Sequence, residues 1–357
     1  MPFFIFAPYI GTEYLRTMAL DDLALMTLAL GAAERGTRSV RPNPRVGCVF
    51  ELQDGTLIEG HHAICGGAHA ERAALEKIHK SNLNPKGARV AVTLEPCSHK
   101  GKTPPCVDAL IEAGVKEVLV PFLDPNPLVS GRGIARLEAA GISVKQGVAA
   151  SKCFALNREW LWSKKLGRPF VTLKIATSKN AIAVADDRRW ITSPAARQHA
   201  MSLRARVDLL LSSGETVRVD DPALTVRDEL GNVAVDQPQV WIFSQKQDLG
   251  SSKKILSHPQ WKWHHSVDLR ASLESMTSQG FFDVMLECGP TLSKAFLDSS
   301  LVDELWHYQS DDELSGMSFD MKELSNFELV ERVRIDEKNN LYKYTHKKRN
   351  EENFFKN

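Results

Sequence analysis

The sequence has no long hydrophobic run and almost no net charge. No apolar stretch approaches the roughly 20 residues that a membrane-spanning helix requires, which argues against a membrane span. The 45 lysine and arginine residues against 44 acidic residues leave a formal net charge of +1 at pH 7, so a basic face for nucleic acid is not predicted. The apolar stretch 1–10 is short, contains Pro2 and Pro8 and lacks a basic leading region. We therefore predict no secretory signal peptide.

Cysteine is also sparse. The six cysteines stand at positions 48, 65, 97, 106, 153 and 288. Because no export signal is predicted, metal binding and burial explain them better than disulfides do. We therefore expect a protein of the reducing cytoplasm.

The 357 residues exceed the size of one typical domain, so two domains are predicted. Both halves alternate strand-like and helix-like segments, which is the pattern of α/β folds. We place a first domain at 21–150, an amphipathic connecting helix at 151–168 and a second domain at 169–347. Residues 1–20 are interpreted as an extension, with Met18 as an alternative start. The charged, Asn-rich end 348–357 is predicted to be disordered.

Two short segments carry the chemistry of the first domain. His69-Ala70-Glu71 and the segment Glu95–Cys106 together supply one imidazole, one carboxylate and two thiols. Zinc held by three such ligands keeps a fourth position for water, which is typical of catalytic rather than structural sites. At a helix start, His69 can point at the metal while Glu71 reaches the water. Cys106 is expected to open a helix, whose N-terminus favours a thiolate over a thiol.

The order of these residues matches the signature of zinc deaminases, in which H-x-E is followed by P-C and a second cysteine. In that signature the glutamate transfers protons and is not a metal ligand. The sequence departs in one respect, since eight residues rather than two separate Cys97 from Cys106. We predict His69, Cys97 and Cys106 as zinc ligands and Glu71 as the catalytic acid–base. A structural zinc clip, or cysteines and a histidine without a common function, is the alternative.

The segment PCSHKGKTPPC at 96–106 resembles the pyrimidine deaminase domain of the bifunctional riboflavin-biosynthesis deaminase–reductases, in which this longer loop is a family mark. The resemblance implies a cytidine-deaminase-like α/β/α fold. It also implies that five residues contact the deaminase substrate: Asn43, His62, Lys102, Asp124 and Asn126. Without the resemblance, each of them would be interpreted as a turn residue, a structural residue or a solvated group.

The second half resembles the reductase domain of the same family in five segments: Arg168–Lys174, Trp190–Ser193, Leu203–Arg206, Thr216–Arg227 and Glu287–Leu292. The resemblance implies a dihydrofolate-reductase-like α/β domain that uses NADPH. It implies contacts with the reductase substrate or the cofactor at Lys174, Trp190, Thr192, Arg204, Thr216, Asp220, Leu224, Arg227 and Glu287. By the same resemblance, Arg204 and Arg227 would bind the substrate phosphate. Asp220 and Glu287 would bind sugar hydroxyls, and Asp220 would also assist proton delivery.

The second half also departs from the family pattern. Ser178-Lys179-Asn180-Ala181 stands where relatives have Ser-Leu-Asp-Gly, and the segment between Lys174 and Thr192 is shorter than usual. Cys288 replaces a glycine of the family's Glu-Gly-Gly, and glycine there allows a close approach of the backbone to the cofactor. The Ala-Pro-containing segment expected after Leu301–Leu305 is missing. These differences predict an altered loop near the nucleotide and a thiol that crowds the cofactor.

The sequence therefore predicts a bifunctional enzyme of riboflavin biosynthesis with zinc and NADPH as cofactors. Its first reaction would be hydrolytic deamination of 2,5-diamino-6-(5-phosphoribosylamino)pyrimidin-4(3H)-one, and its second the reduction of the ribosyl group of the product to ribityl. We expect small pyrimidine ribosyl phosphates as its partners, no nucleic acid or membrane, and a homo-oligomer. Three alternatives stay open: a deaminase with a degenerate reductase domain, another zinc-dependent nucleobase deaminase, and a non-catalytic protein with a structural zinc.

Overall fold

The computed structural model describes residues 20–98, 104–126, 130–228, 230–246, 248 and 253–356. The chain divides into two compact units, 1–158 and 159–357. Of the predicted extension 1–20, all but Leu20 lies outside the described residues. Among the described helices, none combines the length and the apolar character that crossing a membrane requires.

The first unit contains five helices and five strands in its described part. The helices are α1 Asp22–Glu34, α2 Ala70–Lys80, α3 Cys106–Glu112, α4 Arg132–Ala139 and α5 Ala150–Leu156. The strands are β1 Gly47–Glu51, β2 Leu57–His61, β3 Arg89–Val92, β4 Glu117–Leu119 and β5 Ser143–Lys145. They form one sheet in the order β2-β1-β3-β4-β5. The last three strands run parallel, so the loops that follow β3 and β4 leave the sheet at the same edge.

Helix α2 packs closely against the sheet. Apolar side chains of α2, among them Ala74 and Ile78, join Phe50 and Val90 of the strands in one buried cluster. A Cβ atom added at Gly60 of β2 would lie only 2.2 Å from the carbonyl oxygen of Ala70. Because Gly60 has no side chain, the first turn of α2 contacts the backbone of the sheet. This contact sets the position of the residues around that turn.

The second unit is built on a larger sheet. Its helices are α6 Arg158–Leu166, α7 Pro194–Arg206, α8 Gly214–Asp220, α9 Leu269–Ser278, α10 Pro290–Asp298 and α11 Glu351–Phe355, with Arg158 still in the first unit. Its strands are β6 Phe170–Thr177, β7 Ile182–Ala185, β8 Leu209–Ser213, β9 Gln239–Phe243, β10 Trp261–His264, β11 Asp283–Leu286, β12 Glu304–Ser310, β13 Gly316–Ser318, β14 Phe327–Asp336 and β15 Asn339–His346.

Eight of these strands form a sheet in the order β10-β9-β8-β11-β6-β12-β15-β14, and β7 pairs with β13 in a separate ribbon. The six strands from β10 to β12 run parallel, whereas β15 and β14 are antiparallel additions. In sheets of parallel strands, ligands bind at the carboxyl ends of the strands. The predicted reductase residues Glu287 and Thr216 follow the carboxyl ends of β11 and β8.

The predicted single connecting helix at 151–168 is wrong. Two helices, α5 and α6, meet at Asn157, whose backbone departs from helical geometry (φ −128°, ψ 25°). The Asn157 side chain accepts a hydrogen bond from the backbone N–H of Arg45 and donates one to its carbonyl oxygen, at 2.9 and 2.8 Å. The interruption is thus stabilised by a distant backbone segment that local periodicity does not reveal.

The predicted disorder of 348–357 is also wrong for the described residues 348–356. The segment forms the short helix α11, which Asn350 caps through a hydrogen bond to the Asn353 N–H at 2.9 Å. Phe354 is buried and packs edge-to-face on Trp162, with ring centroids 5.3 Å apart. One buried aromatic side chain outweighs the polar composition on which the prediction of disorder was based.

Candidate functional site

Three side chains of the first unit form a metal-sized cluster. His69 lies directly before α2, Cys97 follows β3, and Cys106 begins α3. The Nδ1 atom of His69 lies 3.6 Å from the Sγ atom of Cys97 and 3.4 Å from that of Cys106. All three ligand atoms lie within 4.8 Å of one another. Tetrahedral nitrogen and sulfur ligands of one zinc ion lie about 3.5–3.8 Å apart at normal bond lengths, so these residues fit zinc.

Hydrogen bonds favour the thiolate form of one of the two cysteines, which is the form that binds a cation. The Sγ atom of Cys97 accepts hydrogen bonds from the Cys106 thiol and, at 3.3 Å, from the Cys106 backbone N–H. These bonds and the neighbouring His69 lower the pKa of Cys97 to about 4. The hydrogen bond to Cys97 and burial both raise the pKa of Cys106. The two cysteines by themselves therefore stabilise one thiolate, that of Cys97. A bound cation would stabilise a second thiolate, that of Cys106.

Glu71 lies in the first turn of α2 with only 3% of its surface exposed. Burial raises the pKa of its carboxyl group, and the negative charge of Cys97 adds to that increase. The backbone of His69 is extended (φ −71°, ψ 163°), so the helix begins between the two residues. As a result both His69 and Glu71 contact Cys106. A buried carboxyl group with a raised pKa beside metal ligands is suited to accepting and returning a proton.

The predicted substrate contacts Asn43 and His62 lie together beside the cluster. The Asn43 Nδ2 atom is 3.0 Å from His62 Nε2, and His62 Nδ1 is 2.9 Å from the carbonyl oxygen of Ala68. Since a carbonyl only accepts, Nδ1 carries the proton and Nε2 accepts from the Asn43 amide. Burial lowers the pKa of His62, which keeps it neutral. The ring also packs edge-to-face on His69, with centroids 5.5 Å apart.

Asp124 and Asn126 lie in the loop that follows β4. Asp124 is 6% exposed, and its Oδ1 atom accepts a hydrogen bond from the Asn126 backbone N–H at 2.8 Å. The backbone N–H of Asp124 is bound by Glu95, two residues before Cys97, so this loop lies next to a predicted metal ligand. Lys102, the fifth predicted contact, lies outside the described residues.

In the second unit, an ion pair joins two of the predicted residues. The Arg204 Nε and Nη2 atoms each donate to the Glu287 carboxylate at 2.7 Å. Although burial opposes it, the Arg204 guanidinium lowers the pKa of Glu287 to about 2. Arg204 Nη1 also donates to the carbonyl oxygen of Thr225 at 3.2 Å. Three of the five guanidinium N–H groups are thus bound within the described part of the chain, and two have no partner there.

Lys174 and Asp220 are electrostatically linked to this pair. Burial lowers the pKa of the Lys174 ammonium, and the Arg204 guanidinium adds to that effect, while the carboxylates of Glu287 and Asp220 oppose it. Burial also raises the pKa of Asp220, with Lys174 opposing. The structure therefore gathers Lys174, Arg204, Asp220 and Glu287 into one group of charges, a setting that favours proton transfer.

The remaining predicted residues differ in exposure. Thr216 Oγ1 accepts from the Gly289 backbone N–H at 2.9 Å, which joins the start of α8 to the start of α10. Trp190 is half exposed and lies under the guanidinium groups of Arg189 and Arg197, at 4.7 and 4.6 Å. The last three predicted residues are Thr192, Leu224 and Arg227. The carbonyl oxygen of the buried Thr192 accepts from Arg197, and the buried Leu224 has φ +53°. Arg227 is exposed, and its guanidinium donates to the Gly231 carbonyl oxygen.

The altered turn after β6 contains a strained residue. Ala181, which the family resemblance aligns with a glycine, has φ +64°, a left-handed conformation that glycine adopts without penalty. Its N–H donates to the Ser178 carbonyl oxygen at 3.0 Å. The Asn180 amide exchanges two hydrogen bonds with the Leu314 backbone, at 2.8 and 3.1 Å. The turn is therefore held by a segment distant in sequence.

We expect Ala181→Gly to raise the free energy of unfolding of the second unit by about 0.5–1 kcal/mol, because glycine relieves the left-handed strain. Urea unfolding followed by tryptophan fluorescence measures this unit alone, since all seven tryptophans lie between 160 and 306. The matched control is Ala183→Gly in β7, which is expected to lower stability by a similar amount. A destabilised Ala181→Gly variant would contradict the prediction.

Cys288 lies against α10. Its Sγ atom is 3.3 Å from the Ser293 Oγ atom, and the residue packs against the apolar core of the second unit. Burial raises the pKa of the thiol to about 12, so it stays protonated at neutral pH. That this thiol crowds the cofactor remains a prediction.

Sequence reasoning missed two residues that connect the segments around the predicted metal ligands. Arg72, in α2, donates to the carbonyl oxygens of Pro104 and Pro105 at 3.2 and 3.1 Å, and so holds the residues directly before Cys106. Glu95 binds four backbone N–H groups beyond its own segment. Neither has a local sequence signal, because their partners are backbone atoms 29 to 39 residues away.

Comparison with known proteins matches both units. Residues 20–121 match the family described as the cytidine and deoxycytidylate deaminase zinc-binding region, and residues 169–310 match the RibD C-terminal domain. These matches, with the observed sheets, confirm the predicted deaminase-like first domain and dihydrofolate-reductase-like second domain.

Relatives match across both units. The riboflavin biosynthesis protein RibD of Escherichia coli K12 is 38% identical over 327 residues, covering 81% of this chain and 87% of its own length. RibD of Mycobacterium tuberculosis H37Rv is 38% identical over 303 residues, covering 82% and 86%. The crystal form 1 structure of Acinetobacter baumannii RibD shares 34% identity with a TM-score of 0.80, covering 91% of this chain and 98% of that one.

A Thermotoga maritima structure described as a diaminohydroxyphosphoribosylaminopyrimidine deaminase/5-amino-6-(5-phosphoribosylamino)uracil reductase also has a TM-score of 0.80. It is 28% identical and covers the same shares of both chains, 91% and 98%. With one relative 38% identical over most of both chains, and with each unit matching its own family, the resemblance extends over the whole bifunctional arrangement. The chain belongs to the RibD family of riboflavin biosynthesis proteins, which carry a deaminase activity and a reductase activity.

Proposed function

We propose that the first unit hydrolytically deaminates 2,5-diamino-6-(5-phosphoribosylamino)pyrimidin-4(3H)-one in a zinc-dependent reaction, and that the second unit reduces the ribosyl group of the resulting 5-amino-6-(5-phosphoribosylamino)uracil to ribityl with NADPH. The observation that carries the proposal is the placement of Glu71 beside the cluster of His69, Cys97 and Cys106. Family membership and the name of the Thermotoga maritima protein support the choice of substrates.

In the first reaction, water replaces an amino group on a ring carbon, and ammonia leaves. Zinc, when bound by His69, Cys97 and Cys106, would supply a water whose pKa is lowered towards about 7. Glu71 accepts a proton from the attacking water and gives it to the ring nitrogen. It then transfers the proton of the new hydroxyl group to the amine, so that the carbon–nitrogen bond breaks and ammonia leaves. Burial raises the pKa of the Glu71 carboxyl group, and the protonated form is the one that donates to the leaving group.

Polar groups around the cluster of His69, Cys97 and Cys106 are the proposed contacts of the pyrimidine. The neutral His62 is held by Ala68 and bound by the Asn43 amide, so both present fixed hydrogen-bonding edges. Asp124 and Asn126 are fixed by a hydrogen bond within their own loop. Groups already held in place lose little freedom when a substrate binds.

In the second reaction, NADPH, when bound by the second unit, would supply a hydride to the anomeric carbon of the ribose. The bond between that carbon and the ring oxygen breaks, and the oxygen takes up a proton. Lys174 and Asp220, whose pKa values burial shifts towards neutrality, are the proposed proton donors. The two remaining N–H groups of Arg204 and the exposed Arg227 are the proposed phosphate contacts.

The test follows ammonia release and NADPH oxidation side by side, with zinc-loaded protein and the diaminopyrimidine ribosyl phosphate. Ammonia together with NADPH consumption is the expected result. Ammonia alone would indicate that the altered turn at 178–181 and Cys288 have inactivated the reductase. With neither product, the proposed function is wrong.

A homo-oligomeric state and a cytoplasmic location are further proposals, together with the absence of nucleic-acid and membrane partners. The near-zero net charge supports the exclusion of nucleic acid. Light scattering on the purified protein tests the oligomeric state, and a single-chain mass at assay concentrations would overturn it.

A further inference from the structure

We propose that Glu95 is a positioning residue for substrate binding in the first unit. It joins the loop that carries Asp124 and Asn126 to the segment that carries Cys97. This inference rests on the proposed deaminase function, in which Asp124 and Asn126 contact the pyrimidine substrate.

The Glu95 carboxylate is buried and bound by four backbone amides. The residue is 3% exposed. Its Oε2 atom accepts from the N–H groups of Asp124 at 2.9 Å and Gly131 at 3.0 Å. Its Oε1 atom accepts from Gly133 at 3.0 Å and Ile134 at 3.4 Å. Three of these donors belong to the N-terminal end of α4, where the helix dipole also stabilises a negative charge.

These hydrogen bonds connect three separate segments. Glu95 lies two residues before Cys97, Asp124 lies after β4, and the glycines begin α4. The segments are also in direct contact, because a Cβ atom added at Gly133 would lie 2.4 Å from the Pro96 carbonyl oxygen. One carboxylate therefore sets the position of the Asp124 loop relative to the segment that leads into Cys97.

Glutamine at this position would loosen the loop without touching the reacting groups. The amide nitrogen of glutamine donates where a carboxylate oxygen accepts, so it would face backbone N–H donors. The two hydrogen bonds accepted by at least one of the two carboxylate oxygens are then lost. We expect Glu95→Gln to raise the KM for the diaminopyrimidine ribosyl phosphate about tenfold. Because Glu71 and the metal ligands are unchanged, kcat stays within about threefold of the original and zinc content does not fall.

Glu51→Gln is the control for the loss of a buried carboxylate. Glu51 is 6% exposed and is bound by Leu20 and Arg89, away from the Asp124 loop. This variant is expected to lower thermal stability and leave KM unchanged. It separates a specific effect on substrate binding from general destabilisation.

A second pair of variants strains the backbone without removing a charge. Gly131 and Gly141 flank α4 with φ +74° and +81°, and an added Cβ atom would meet nothing within 4 Å at either. Alanine is therefore similarly strained at both positions, but only Gly131 donates to Glu95. We expect Gly131→Ala to raise KM and Gly141→Ala to leave it unchanged. This pair tests the inference even if Glu95→Gln does not fold.

Steady-state ammonia release and zinc analysis on all four variants decide the outcome. A KM increase confined to Glu95→Gln and Gly131→Ala, with zinc retained, supports the inference. Loss of zinc, or a fall in kcat at unchanged KM, would show that Glu95 supports the metal ligands instead. An unchanged KM in a folded Glu95→Gln, or a KM in Gly131→Ala equal to that of Gly141→Ala, overturns the inference while the wild-type activity upholds the proposed function. If the wild type releases no ammonia, both are wrong.

Discussion

Glu71→Gln is expected to reduce the rate of ammonia release by about 10²–10⁴-fold while zinc stays bound. Glutamine has nearly the same shape and keeps hydrogen-bonding groups next to Cys106, but its amide cannot accept and return a proton. Since Glu71 is not one of the three clustered ligand side chains, the metal affinity should change little. Ammonia release and zinc content, measured on the same preparation, check both parts.

The control for this variant lies on the same helix. Glu76 is exposed in α2, and Glu76→Gln is expected to leave both turnover and zinc unchanged. Undiminished ammonia release by Glu71→Gln would remove Glu71 from the proposed mechanism. Loss of zinc from Glu71→Gln would instead indicate that this carboxylate helps to bind the metal.

Asp303→Asn is expected to lower the free energy of unfolding of the second unit by about 3–5 kcal/mol. Asp303 and Arg168 are almost completely buried, and the Arg168 Nη1 and Nη2 atoms donate to the carboxylate at 2.6 and 2.8 Å. Arg349 donates to the same group at 2.8 Å, as does the Val171 backbone N–H at 3.0 Å. Asparagine leaves the buried Arg168 charge without its counter-charge, which is the costly arrangement.

Tryptophan fluorescence during urea unfolding measures this effect, since every tryptophan lies in the second unit. The matched control is Asp312→Asn, which removes an exposed ion pair with Arg188 and should change stability by less than about 1 kcal/mol. If Asp303→Asn is no less stable than Asp312→Asn, the buried Arg168–Asp303 pair does not stabilise the second unit as proposed.

The local parts of the structure were predicted from local patterns. Asp21 caps α1 through a side chain that accepts from the Ala24 N–H three residues on, a contact that residue type and spacing favour. The grouping of His69, Cys97 and Cys106 was predicted from the sequence, since metal chemistry restricts which side chains can serve as ligands. In both cases the residue types themselves carry the physical constraint, and few other roles explain them in that order.

Other features depend on partners far away in the chain. The helix interruption at Asn157 is stabilised by Arg45, 112 residues earlier. The order of 348–356 depends on Phe354 packing on Trp162 and on Arg349 reaching Asp303. The sequence around each of these residues gives no sign of its partner, so a helix and a disordered tail were predicted instead.

The sequence by itself determined the family, the two-domain order and the candidate set of metal ligands, because ligand chemistry and motif order are properties of the residues. Only the tertiary structure decided how those residues are supported. It placed Asn43 on His62, paired Arg204 with Glu287, and bound the Asp124 loop to Glu95. The physical reason is that a hydrogen bond depends on distance and direction in space, and these are set only when the sheets bring remote segments together.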